Sequence, residues 1–89
     1  MATTIETSRT VVNNVATPVK IVTARVGRTG LKIFVQGPLN SFITIGKDNT
    51  VTTSTGYPIG LGEYKFDPVT EGDVYALGTG MTVTVLEVH

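Results

Sequence analysis

Eighty-nine residues accommodate one domain, and seven basic against seven acidic residues leave no net field to attract nucleic acid or an anionic membrane. Cysteine is absent, which excludes a disulfide framework and any thiolate metal site, and no apolar run approaches the ~18 residues that a membrane helix needs. A chain this short hides only about 60–65% of its unfolded surface, so its core is thin, and association with other subunits is the support that remains.

The opening segment MATTIETSRT lacks the basic and apolar stretches of a secretory signal, and the chain reads as a soluble protein made in a cytoplasm. Residues 1–10 are rich in Thr, Ser and Glu, with Ile5 the only large aliphatic. They read as a flexible N-terminal arm set apart from a single β-domain over residues 11–89. The arm is either a disordered tail or a segment that orders on a neighbouring subunit, with Ile5, Val11 and Val12 as anchors. Residues 11–18 read as a short edge strand or an extended lead-in.

From there β-branching dominates. Thr, Val and Ile make up more than a third of the chain, and such side chains suit a pleated surface better than a helix. Alternation predicts strands over 19–26, 31–36, 41–46, 63–67, 74–77 and 81–88, while residues 50–55 carry strong β propensity without alternation. The glycine-bounded GRTG (27–30) and GTG (78–80) read as tight turns, Pro38 breaks the chain at GPLN, and 67–73 is a loop. Six or seven short strands with this punctuation predict an all-β fold, a compact sandwich or small jelly-roll-like barrel.

Catalytic chemistry is hard to assemble from these residues. His89 is the only imidazole, and it stands at the end of the sequence. Asp67, Glu71 and Asp73 offer carboxylates for a weak calcium site, but Asp and Gly in such a loop are also ordinary turn formers. The glycine pairs lack the lysine and following helix of a phosphate-binding loop. Four basic residues fall between Lys20 and Lys32, and Tyr57 and Tyr64 head a set of six aromatics. A stacking platform for single strands is thereby conceivable, against which the neutral charge counts. The expectation is a non-enzymatic protein without cofactor or metal.

The stretch VTTSTGYPIGLGE (51–63) raises the sharpest local question. One reading is a strand over 50–54, a turn at Thr55–Gly56 and a proline-stiffened return at Tyr57–Pro58. The other is a displayed binding loop carried by Thr52, Thr53, Thr55, Tyr57 and Pro58, as rigid β scaffolds commonly present such loops.

In sequence, RTGL (28–31), ITIG (43–46), VTTSTGYPI (51–59), Tyr75–Ala76 and VTVLE (83–87) resemble a loose group of small structural proteins of tailed bacteriophages. The likeness covers residues 25–88. It implies a small β-domain of the capsid decoration (cement) or head-fibre type, sited on the virion surface and assembled as a homotrimer. It further implies a phage major capsid protein as partner, with Thr3, Thr4, Ile5, Thr7, Val11 and Val12 lying on the capsid or a neighbouring subunit. Two other functions stand beside it: a neck, tail or head-fibre component, and a glycan- or host-surface-binding module built on Tyr57 and Tyr64.

Overall fold

The computed structural model describes residues 3–89. Six strands form one antiparallel sheet: β1 (Ile5–Val22), β2 (Gly30–Gln36), β3 (Phe42–Gly46), β4 (Tyr57–Gly60), β5 (Gly62–Lys65) and β6 (Val74–Val88). The path runs β4-β3-β6-β2-β5, and β1 lies along the other edge of β6. The ends of that path, β4 and β5, are consecutive in sequence and separated only by Leu61, so the sheet rolls into a nearly closed barrel. No helix forms among the described residues, and hence none long and apolar enough to cross a membrane.

β6 organises the molecule because it is long enough to serve three partners. Its C-terminal half pairs with β2 from Gly30↔Val88 to Gln36↔Thr82, and its N-terminal half pairs with β3 at Thr44↔Leu77 to Gly46↔Tyr75. The period-2 alternation turns Met81, Val83 and Val85 inward against Leu31, Ile33 and Val35. Val12, Ile21, Val22, Ile43, Ile59, Phe66, Val74 and Ala76 complete the same core. Fully burying one such aliphatic side chain contributes about 1.5–3 kcal/mol.

Several sequence expectations are corrected here. Residues 5–10, expected as a flexible arm, are the first half of β1, in register with β6 from Ile5↔Val88 to Thr10↔Val83. Residues 1 and 2 of that expected arm lie outside the described residues. Residues 5–10 are held by this backbone ladder rather than by burial, since Ile5 to Arg9 are all exposed. Val12, expected as a surface anchor, is fully buried in the core.

The GTG at 78–80 does not turn the chain. It forms a bulge inside β6, where the register slips between Val12↔Met81 and Asn14↔Gly78. Gly80 adopts φ 65°, and its N–H donates to Asn13 Oδ1 at 2.9 Å. Asn14 Oδ1 accepts from the N–H groups of Ala16 and Thr17, both at 2.8 Å, so β1 makes a short excursion before rejoining the ladder at Val19.

The strand expected over 19–26 ends at Val22. Beyond it the backbone is taken over by the 70–73 loop: Ala24 N–H donates to Asp73 Oδ1 and Arg25 N–H to Glu71 O. The turn expected over 27–30 narrows to Val26–Gly27, and Gly30 already belongs to β2. Residues 50–54 form no strand, whereas Tyr57–Gly60, expected as the return of a loop, is β4.

Candidate functional site: a free strand edge and an apolar end

The first half of β1 is exposed on three sides. Thr4 and His89 exchange backbone hydrogen bonds at 2.7 and 2.9 Å, which fixes the parity of the strand. Even-numbered residues aim their N–H and C=O groups at β6, and odd-numbered residues aim theirs outward. Ile5, Thr7, Arg9 and Val11 therefore present unpaired backbone groups along an edge that no strand among the described residues covers. Their side chains share one face of the sheet, with Ile5 65% and Val11 67% exposed. Long edges of this kind are normally blunted by proline, lysine or a bulge. Between Ile5 and Val12 there is none of these, and the first irregularity comes only after Val12.

A second uncovered surface lies around Phe42. Phe42, Leu39 and Leu61 line one shallow depression at 55%, 86% and 41% exposure. Phe42 also borders a neighbouring one with Val15, Leu77 and Thr79. Sequence reasoning passed over this patch. The available signal was Leu39, an apolar residue in the Pro38–Asn40 turn where polar residues are usual.

The hydroxyl-rich loop is organised around itself. Val51 is buried, and the backbone closes through Thr55 N–H and Gly56 N–H, both donating to Thr52 O. Thr52 Oγ1 lies 3.1 Å from Ser54 Oγ and 3.0 Å from Thr55 Oγ1. Thr52, Thr53, Thr55 and Pro58 are exposed, but the Thr52 and Thr55 hydroxyls are already engaged with each other. At the base of the loop Asp48 accepts from Thr50 Oγ1 and from Thr50 N–H. Those bonds, the side-chain one foremost, hold its carboxyl below the ordinary aspartate range.

Tyr57 belongs to a row rather than to the loop. Its ring centroid stands 6.4 Å from that of Tyr64, and Tyr64 meets Phe66 edge-on at 5.1 Å. This row bridges β4 and β5, where the barrel closes. Tyr57 is 61% exposed, Tyr64 half-buried and Phe66 buried.

Several charged residues pair with one another, most densely around Glu87. Arg28 Nε donates to Glu87 Oε2 at 2.7 Å, its Nη1 to Thr70 O at 2.7 Å, and its Nη2 to Thr23 O. Arg25 joins Glu87 to Glu6, and His89 Nε2 lies 3.1 Å from Glu6 Oε1. Glu6, Glu87 and His89 thus converge closely enough to hold a cation, yet both carboxylates already face arginines. The residues considered for calcium serve the backbone instead. Asp73 accepts from Ala24 N–H, and Glu71 Oε2 accepts from Gly27 N–H at 2.6 Å. They do not gather with Asp67 into a group of metal-ligand geometry among the described residues.

Comparison with protein-family models, with curated proteins and with solved structures finds no match to this chain.

Proposed function

We propose that this protein is a structural component that assembles on the outside of a tailed-phage shell and stabilises it. The observation that carries the reading is the pair of uncovered surfaces, the β1 edge and the Phe42 end, on a small β-domain. A standard protein contact takes about 800 Å² from each partner, and the whole chain exposes 5466 Å². One contact would therefore cover roughly a seventh of its surface, a large gain for a chain with so thin a core.

In this reading the mechanism is mechanical. The Phe42 end, with Leu39 and Leu61, seats on the major capsid protein, and the β1 edge reaches a neighbouring copy. Each copy then ties adjacent shell subunits together and opposes the outward pressure of packaged DNA. A neck, tail or head-fibre position would use the same surfaces under a different ring symmetry.

The test is mass spectrometry of purified particles from the phage that encodes the chain, washed at high salt, followed by localisation on the shell by electron microscopy. Recovery at a fixed ratio to the major capsid protein, with density on the shell exterior, supports the reading. Absence from washed particles overturns it.

A second reading, a glycan-binding module, is favoured by the Tyr57–Tyr64 spacing of 6.4 Å beside an exposed Tyr57 face. Titration with mono- and oligosaccharides, followed by tyrosine fluorescence, separates it. Saturable quenching lost in Tyr57→Ala favours a module of this type, and a flat titration removes it.

A further inference from the structure

We infer that two copies of this chain pair edge to edge through the first half of β1, antiparallel, with Ser8 on the twofold axis. The inference deepens the assembly reading by naming the copy–copy contact.

The geometry selects both partner and register. The outward-facing backbone groups belong to odd-numbered residues, so an added antiparallel strand must set odd residues of one copy opposite odd residues of the other. A twofold axis perpendicular to the sheet does this, and it also keeps the outer face of β1 continuous across the junction. The regular part of β1 runs from Ile5 to Val12. Only two registers of the required parity use its full length, centred on Ser8 or on Arg9. Centring on Arg9 places two guanidinium groups directly opposite each other, which is destabilising. Centring on Ser8 sets Ile5 against Val11 of the second copy and Val11 against Ile5, with Thr7 facing Arg9 on either side.

That arrangement joins the two large apolar side chains left exposed on the first half of this strand, Ile5 and Val11. It also satisfies the outward N–H and C=O groups of Ile5, Thr7, Arg9 and Val11 in mutually hydrogen-bonded pairs. No like charges meet directly, because Glu6 falls opposite Thr10. The result is one continuous sheet, β5-β2-β6-β1 followed by its symmetric copy. Strand addition at a free edge draws affinity from the backbone and selectivity from alternate side chains.

The register is directly testable because the chain holds no cysteine. On the axis, the two Ser8 residues form a non-hydrogen-bonded pair with Cα atoms about 4.5 Å apart, within the span of a disulfide. Ser8→Cys should therefore give a covalent two-chain species on mild oxidation, whereas Ser54→Cys, on the exposed loop, should not at equal concentration. Light scattering of the unmodified chain should give twice its 9.4 kDa mass. Thr7→Pro removes an outward N–H while leaving the β6 ladder intact, and should raise the dissociation constant about tenfold or more. Circular dichroism checks that this variant keeps its fold.

A single-chain mass at every concentration, or Ser8→Cys that cross-links no faster than Ser54→Cys, overturns the pairing. A three-chain mass, the state that the phage resemblance implies, overturns it too while leaving the assembly reading standing. A paired chain absent from washed particles does the reverse, sinking the assembly reading alone.

Discussion

Arg28 and Glu87, 59 residues apart, meet at 2.7 Å through a guanidinium whose side chain is wholly shielded from solvent. The same guanidinium reaches Thr70 O, Thr23 O and, at 3.4 Å, Gly72 O. One side chain thus binds the end of β6 to Thr23, just beyond the end of β1, and to the 70–73 loop. Every buried side-chain nitrogen and oxygen among the described residues has a partner, so the arrangement leaves no polar group stranded.

Arg28→Met should therefore lower the unfolding free energy by about 3–5 kcal/mol, the usual cost of removing one member of a buried pair. Arg28→Lys should recover only a small part, because an ammonium cannot serve the diverging acceptors of a planar fork. Urea unfolding of the three proteins measures this. A loss below about 1 kcal/mol for Arg28→Met would place the clamp outside the stabilising interactions of the fold.

Gly56 follows from packing at the other end of the molecule. A Cβ there would overlap Thr44 Cγ2 and stand 2.8 Å from the backbone oxygen of Ile45. The loop is pressed against β3 at this point, and Ile45 O cannot yield without disturbing the β3–β4 ladder. Gly56→Ala should cost about 1–3 kcal/mol and Gly60→Ala, where a Cβ meets nothing within 4 Å, far less. Thermal melts of the two variants compare them directly.

The strands that alternate between large apolar and polar residues were legible in the sequence: 31–36 matches β2, and Met81, Val83 and Val85 do share the buried face. What escaped has physical reasons. The first half of β1 is held by a ladder to β6 and buries little of itself, so hydrophobic pattern carries no trace of it. A Gly-x-Gly triplet suits a turn and a bulge equally, and the choice at 78–80 is made by Asn13, 67 residues away. The β propensity of residues 50–54 loses to hydroxyl–backbone bonds between Thr52 and Thr55 and to the backbone bond from Gly56 N–H to Thr52 O. Of the residues expected to make contacts, Ile5, Thr7 and Val11 share the exposed face of one edge, while Val12 belongs to the core.

Asp48 gives a pH prediction whose sign is fixed. Its folded carboxyl titrates below the ordinary aspartate value, chiefly through the Thr50 hydroxyl and then the Thr50 N–H. The ionised form is therefore the one the fold favours. Its contribution is present above the unfolded aspartate range and is lost as pH falls through the lowered folded value. Thr50→Val removes the hydroxyl donor but keeps the N–H, so the Asp48 titration should move upward without reaching the unfolded value. Carbon-detected NMR titration of the Asp48 carboxyl reads this directly, and an unchanged midpoint would assign the shift to the backbone donor alone.

Phe42 separates stability from assembly. Its ring is 55% exposed and stands across the ladder from Gly60, so it packs against little of its own chain. Phe42→Ser should change unfolding free energy by no more than about 0.5–1 kcal/mol. Contact anchors behave differently, since truncating an aromatic at the centre of an interface commonly costs about 2 kcal/mol or more, roughly a thirtyfold loss of affinity. Competition of Phe42→Ser with the unmodified chain for washed phage shells, read by gel densitometry, should then show preferential loss of the variant. Equal retention would move the shell contact away from the Phe42 end and leave the outer face of β2, where Phe34 is 45% exposed, as the surface to substitute next.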